Sequence, residues 1–373
     1  MNRGTRLGLG LAAPALALVA AFALTSLVLV IAGDPVGEVW ETILAPPGAR
    51  NVANIVNNAS VLYLSGIAVA IGFRMNLFNI GVDGQYRIAA FAAAVVAGEN
   101  LLPGYLNTAL AIIAAMLVGA AWAGIAGLLR AYRGVSEVIS TIMLNFISTG
   151  LVAYFLRQVA VREEGSNIIA TATIENGRVP SIPVPGSETT EIYGFVVIAA
   201  VVGALYWFVL NRTRFGFDLR ATGASPTAAV ASGISVKRMT VVAMLLSGAI
   251  AGLVGLPILL GDAYAYGSTF QSGLGFAGIA IALLGRNHPI GVALGALLFA
   301  FLDEQSNALQ ILVGVAPEIV QITQGVIVLT VVISYEVVRR YARRLEQQQV
   351  SKVVEDDRAG PSDDATTTEE ARA

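Results

Sequence analysis

Long apolar runs separated by short polar connections dominate this chain, and little of it shows the strict alternation of a half-buried strand. A helix needs about 20 apolar residues to cross the hydrocarbon core of a bilayer. On that spacing the pattern predicts crossings near 11–32, 57–73, 76–98, 107–129, 138–156, 192–210, 239–260, 268–285, 289–311 and 319–338, ten in all, with nine as the alternative count. The first run follows Arg3 and Arg6 and is longer than the core of a signal peptide, so it is expected to stay as a span. The expected fold class is all-α: a polytopic integral membrane helical bundle over residues 1–344. After Arg344 the chain reads EQQQVSKVVEDDRAGPSDDATTTEEARA, polar, acidic and without periodicity, and 345–373 is expected to be a disordered tail.

Charge placement orients the bundle. Arg3, Arg6, Arg74, Arg130, Arg133, Arg212, Arg214, Arg220, Lys237, Arg238, Arg286, Arg339, Arg340, Arg343 and Arg344 fall at alternate connections. The opposite connections hold Asp34, Glu38, Glu41, Glu99, Glu163, Glu164, Asp262 and Glu318. By the positive-inside rule both termini and the 211–238 connection are expected in the cytoplasm, and 157–191 becomes a long outer loop. Within that loop ATATIENGRVPSIPVP predicts a surface hairpin with a type I′ turn at Asn176–Gly177.

Composition agrees with the hydropathy pattern and narrows the chemistry. Of 373 residues 56% are hydrophobic and 13% charged, with a mean hydropathy of +0.72, which implies a multi-pass protein of the cytoplasmic membrane with lipid around it. A net charge of −2 with scattered basic residues argues against nucleic acid as a partner. Cysteine is absent and His288 is the single histidine, which excludes thiolate chemistry, disulfides and His/Cys metal sites. Only Lys237 and Lys352 are lysines, and neither sits in a phosphate-cradling G-x-x-x-x-G-K-[ST] loop, so the chain is not itself an ATP-driven motor.

The segment NLFNIGVDGQYRIAA (76–90) breaks the apolar pattern with Asn76, Asn79, Asp83, Gln85 and Arg87. The clean apolar stretch after Arg87 reaches only about 16 Å as a helix, so the polar residues upstream must enter membrane depth, lining either a cavity or the bundle interior. Asp83 and Arg87, at i and i+4, are expected to form an internal ion pair. Further polar residues fall inside predicted spans: Asn57, Asn58 and Ser60; Glu137, Ser140, Thr141 and Asn145; Asp303, Glu304, Gln305 and Asn307; Gln321 and Gln324. Asn57, Asn58, Asn79, Asp83, Gln85, Ser140, Thr141 and Asn145 are the candidate pathway residues. Between the sixth and seventh spans, Ser225 is placed to cap a short helix with Pro226 in its first turn and Gly233 at its end.

Four stretches, FNIGVDGQ (78–85), GVSEVISTIMLNF (134–146), GFDLRATGASPTAAVASGI (216–234) and GFAGIAIALLGRNHPIG (275–291), together resemble the permease subunits of ABC importers in the superfamily of ribose and branched-chain amino acid permeases. The resemblance covers about residues 57–338 and is nearest to the nucleoside and simple-sugar branch. It implies a membrane subunit paired with a second permease subunit, energised by a separate cytoplasmic ABC ATPase and fed by an extracytoplasmic substrate-binding lipoprotein. It implies no cofactor on this chain, ATP being used by the partner. It also implies a coupling helix carried by Gly216, Arg220, Gly223, Pro226, Ala228, Ala229 and Gly233. An ion-coupled secondary transporter of a small polar solute, using Asp83, Glu137 and the Asp303–Glu304 pair, is the alternative.

Overall fold

The computed structural model describes residues 3–161, 169–184 and 190–359, the side chains of residues 3–15 and of parts of 343–359 excepted. Glu163, Glu164 and the tail beyond 359 lie outside the described residues, as do the side chains of Arg3 and Arg6. The described chain is mostly helical: α1 (Arg3–Ala32), α2 (Val36–Leu44), α3 (Ala49–Phe73), α4 (Val82–Gly98), α5 (Tyr105–Leu128), α6 (Glu137–Val159), α7 (Phe195–Arg212), α8 (Arg214–Ala224), α9 (Pro226–Ala231), α10 (Val236–Ala251), α11 (Leu256–Ile258), α12 (Leu274–Leu284), α13 (Pro289–Leu312) and α14 (Glu318–Ala359). Two three-residue strands, β1 (Ser181–Pro183) and β2 (Glu191–Tyr193), pair antiparallel. Packing divides the chain into residues 34–324 and a second unit of residues 1–33 with 325–373.

Among the described residues six helices are long and apolar enough to cross a membrane: Ala49–Phe73, Tyr105–Arg133, Glu137–Val159, Phe195–Arg212, Val236–Ala263 and Glu318–Ala342. The stretch expected to cross at 268–285 is not one continuous helix: α12 has 11 residues and by itself reaches about 16 Å, half the hydrocarbon core. α14 continues helically through 345–359, where the sequence pattern predicts disorder. A helix already nucleated upstream extends at little cost, since each further residue adds one backbone hydrogen bond. α2 falls in a connection with no predicted element. It is an amphipathic helix that buries Val39 and Ile43 and whose end is bonded by Gln305 of α13, donating to the carbonyls of Thr42, Ile43 and Ala45 at 3.0–3.2 Å.

α3 is the centre of the larger unit, 83% buried along its apolar window, against 28–33% for the windows of α5, α6 and α7. Small residues let backbones close on one another, as packing between membrane helices requires. A Cβ added to Gly119 of α5 would run into the Gly248 carbonyl of α10 and come within 3.1 Å of Gly252 Cα. The basic connections meet at one end of this unit: Arg74 donates to the Asn287 carbonyl at 2.8 Å, Asn76 to the Gly223 carbonyl at 2.7 Å, and Arg130 pairs with Glu137 at 3.2 Å.

The hairpin expected at Asn176–Gly177 does not form. A type I′ turn needs positive φ at both central residues, and of the two only Gly177 has it, at +87°. Asn107 and Thr108 at the start of α5 bond the Asn176 and Gly177 carbonyls instead. The ribbon lies further on, at β1 and β2.

The α5–α10 seam yields a stability prediction. Leucine at Gly119 or Gly248 meets backbone that cannot rotate away, a clash beyond the usual ~1–3 kcal/mol of overpacking, and is expected to abolish monodisperse protein on size-exclusion chromatography. Gly150→Ala, with nothing within 4 Å of its Cβ, is expected to elute as wild type.

Candidate translocation site

The 76–90 segment turns back into the bundle. Asn76 takes φ +54° just after α3, a conformation asparagine tolerates, and residues 77–81 then lead to α4. The polar groups are buried: Asn79 is 1%, Asp83 6% and Gln85 1% exposed. Asn79 and Gln85 form a reciprocal amide pair, with bonds of 3.0 and 2.8 Å. Asn79 also donates to Ser247 Oγ at 2.8 Å, and Ser247 to the Ala68 carbonyl at 2.7 Å. Asn145 of α6 clamps the same place, donating to the Ile80 carbonyl and accepting from Gly84 N, each at 2.9 Å.

Asp83 does not pair with Arg87, which corrects the expected ion pair. Its Oδ1 accepts from Gly273 N at 2.9 Å and Gly275 N at 3.3 Å. These are the first amides of α12, a helix that starts within the bundle, so the carboxylate satisfies orphan donors and complements the helix dipole. Tyr86 donates to the Gln271 carbonyl at 2.7 Å and Ser65 to the Leu274 carbonyl at 2.8 Å, which fixes the same turn from two sides. Of the two expected placements, cavity lining or bundle interior, the stretch takes the second and forms a buried polar knot.

Ser140 and Thr141 bond carbonyls one turn back, those of Ser136 just before α6 and of Glu137 at its start, and serve packing. Asn57 holds β2 by donating to the Glu191 carbonyl at 2.7 Å and accepting from Tyr193 N at 2.9 Å. Beside it opens a largely polar cavity of about 540 Å³, lined on α3 by Asn54, Asn57 and Asn58 and on α13 by Asp303, Glu304 and Asn307, with Tyr193, Asp262 and Gln271 and the apolar Val61, Pro257 and Ile258 completing the wall. Asn54 donates to Glu304 at 3.1 Å, Asn58 to Asp303 at 3.3 Å, and Gln324 to Asp303 at 2.7 Å. Amides face carboxylates across the cavity, and no Arg or Lys is among the lining residues. Such a wall hydrogen-bonds hydroxyls and base edges and repels anions, in a volume suited to a small solute.

Of the candidate pathway residues, the structure brings Asn57 and Asn58 to this cavity and puts Asn79, Asp83, Gln85, Ser140, Thr141 and Asn145 in helix contacts. Asn54 was legible from its spacing of three and four with Asn57 and Asn58, which puts all three on one face. Tyr193, Asp262 and Gln271 come from connections, where no periodicity signals them.

At the basic end Ser225 caps α9, accepting from Ala228 N at 3.3 Å, Pro226 sits in the first turn and Gly233 follows at φ +80°. Gly216 and Gly223 are packed, since a Cβ would strike the Val209 and Leu210 carbonyls at the first and the Arg74 carbonyl at the second. Arg220 binds the end of α7 through the Leu210 carbonyl, and Ala229 is buried. Pro226 and Ala228 are exposed, beside Phe217 and Val230 at 60% and 61% exposure.

Residues 51–332 match the family described as branched-chain amino acid transport system, permease component. The chain belongs to that permease family. It is 33% identical to the guanosine ABC transporter permease protein NupP of Bacillus subtilis over 87% of this chain and 93% of that one. It is also 33% identical to the glucose ABC transporter permease protein TsgB13 of Haloferax volcanii, with 88% of each covered. Identity to the nucleoside ABC transporter permease protein NupB of Lactococcus lactis is 29%, over 94% and 98%. The permease is thus an integral membrane subunit of an ABC importer, with ATP hydrolysis on a separate subunit, in place of the ion-coupled alternative.

The polar knot predicts a graded response. Asp83→Ala removes the single oxygen that accepts from both amides at the start of α12 and is expected to cost about 1–3 kcal/mol, while Asp83→Asn keeps an acceptor oxygen and costs less. Gln85→Ala removes both bonds of the reciprocal pair, leaving Asn79 with Ser247 and the Gly81 amide, and destabilises too. Thermal unfolding in detergent ranks them, and a Gln85→Ala permease with wild-type Tm would show that the amide pair supports nothing.

Proposed function

We propose that this permease carries a nucleoside or a simple neutral sugar inward across the cytoplasmic membrane. The single observation that carries the substrate reading is the polar, cation-free cavity between α3 and α13. Relatives named for guanosine, nucleosides and glucose support it. The amides of Asn54, Asn57 and Asn58 and the carboxylates of Asp303 and Glu304 hydrogen-bond ribose or pyranose hydroxyls or a base edge, and phosphorylated relatives of these solutes are repelled.

In this reading the basic end is cytoplasmic, both termini lie there, and ten passes are made, with α12 and the irregular chain before it acting as one broken crossing. The exposed patch of Phe217, Pro226, Ala228 and Val230 meets the ATPase, while Gly216, Gly223 and Arg220 stiffen the loop that presents it. A second permease subunit and a substrate-binding lipoprotein complete the importer, the latter at the acidic end. This division of labour narrows the sequence-based coupling set to Pro226, Ala228 and Gly233, its exposed members.

The reading is tested by ATP-driven uptake into vesicles carrying the complete transporter. Uptake of a labelled nucleoside is expected to be competed by nucleosides or hexoses and not by nucleoside monophosphates, and Asn58→Ala or Asp303→Asn is expected to raise KM about tenfold, the equivalent of one or two lost hydrogen bonds. Equal competition by the monophosphate would reject the charge argument. Ala228→Glu is expected to leave assembly intact and abolish uptake, and unchanged uptake would remove the patch from coupling. Cysteine at Ser225 is expected to label only from the cytoplasmic side and cysteine at Asn176 only from outside.

A further inference from the structure

Arg87 stands near the start of α4 and donates to Thr149 Oγ1 of α6 at 3.0 Å, a contact exposed at the surface of the chain. Thr149 in turn donates to the Asn145 carbonyl at 3.0 Å. The depth of this pair follows from the span of α6, which runs from Glu137 to Val159. Thr149 lies about 18 Å from one end and about 15 Å from the other, close to the middle of a bilayer.

Asp83 lies near enough to Arg87 to interact electrostatically but forms no ion pair with it, and the Tyr266 hydroxyl meets the guanidinium. The Arg87 Nε is buried and has no acceptor. A guanidinium at mid-bilayer is costly against hydrocarbon, and such residues face a bundle interior or water. The contact with Thr149 is not interior. Along α6 the same surface stays open at Gly150, where nothing approaches within 4 Å, and at exposed Ala153, with one large apolar side chain, Phe146, a turn back. On the other side Tyr86, beside Arg87, holds the carbonyl of Gln271, whose side chain belongs to the polar cavity.

We infer that the α4–α6 face bearing Arg87 and Thr149 borders a water-filled route for the solute, and that Arg87 offers the guanidinium donors not taken by Thr149 and Tyr266 to the solute's hydroxyl or carbonyl oxygens at mid-membrane. This rests on the reading of the permease as a path for a neutral polar solute. The face is secluded from lipid in the assembled transporter.

The chain contains no cysteine, so a single introduced thiol reports alone, read on this chain by mass shift. Membranes carrying the complete transporter are treated with a small, charged, membrane-impermeant methanethiosulfonate. Thr149→Cys and, one turn along, Ala153→Cys are compared with Leu117→Cys, 65% exposed at the centre of α5. Labelling at least tenfold faster at Thr149→Cys than at Leu117→Cys is expected, and Ala153→Cys serves as reporter if Thr149→Cys does not assemble. A smaller ratio at the assembled reporter overturns the inference. Nucleoside uptake by the unsubstituted transporter separates the two readings: uptake with slow labelling rejects the aqueous face alone, and fast labelling without nucleoside uptake keeps the face and rejects the substrate.

Discussion

A helix that begins in the middle of a membrane has N–H groups with no water to bond, and the centre of this permease is organised around that deficit. Asp83 supplies the acceptor for Gly273 and Gly275, at the cost of bringing its own charge into the bundle. The carboxylate can stay there because the amides and the positive end of α12 meet it. Asn79, Gln85, Asn145 and Ser247 then satisfy the irregular backbone and one another around the re-entrant turn, so that nearly every polar group of the knot has a partner. Without this network α12 has no fixed start, and the loop carrying Gln271 to the cavity wall has no fixed position.

Much of the architecture was written in hydropathy and local capping chemistry. The ten predicted intervals each overlap a helix, because unbroken apolar length is a signal that a bilayer imposes directly. The Ser225, Pro226 and Gly233 signals give α9 almost residue for residue, since capping is local chemistry. Where the sequence misled, the missing information was tertiary. Asp83 and Arg87 have ideal spacing for a pair, yet amides 190 residues away compete for the carboxylate. Asn176–Gly177 has turn chemistry, but Asn107 and Thr108 claim its carbonyls.

The candidate site divides along the same line. Asn57 and Asn58 could be picked as polar residues in a span, and Asn54 joins them by helical periodicity. Which intramembrane polar residues are glue and which face a cavity depends on what stands opposite, and that is invisible in one strand of text. Asn79 and Gln85 turn toward each other, whereas Asn58 and Asn54 turn toward Asp303 and Glu304 on α13, some 245–250 residues on. The partition therefore follows pairings between distant helices.

The small ribbon beside the cavity has a mechanical consequence. Strands of three residues have no stability of their own, and β2 is held by two hydrogen bonds to the side chain of Asn57, while Tyr193 packs against Gly261. Asn57 is thus a fulcrum: the ribbon forms one arm and α3, with Asn54 and Asn58 a turn or less away, forms the other. A load applied to the ribbon reaches the cavity wall without passing through any flexible linker, so the tension on this strand and the shape of the solute chamber are coupled like the two ends of a short lever.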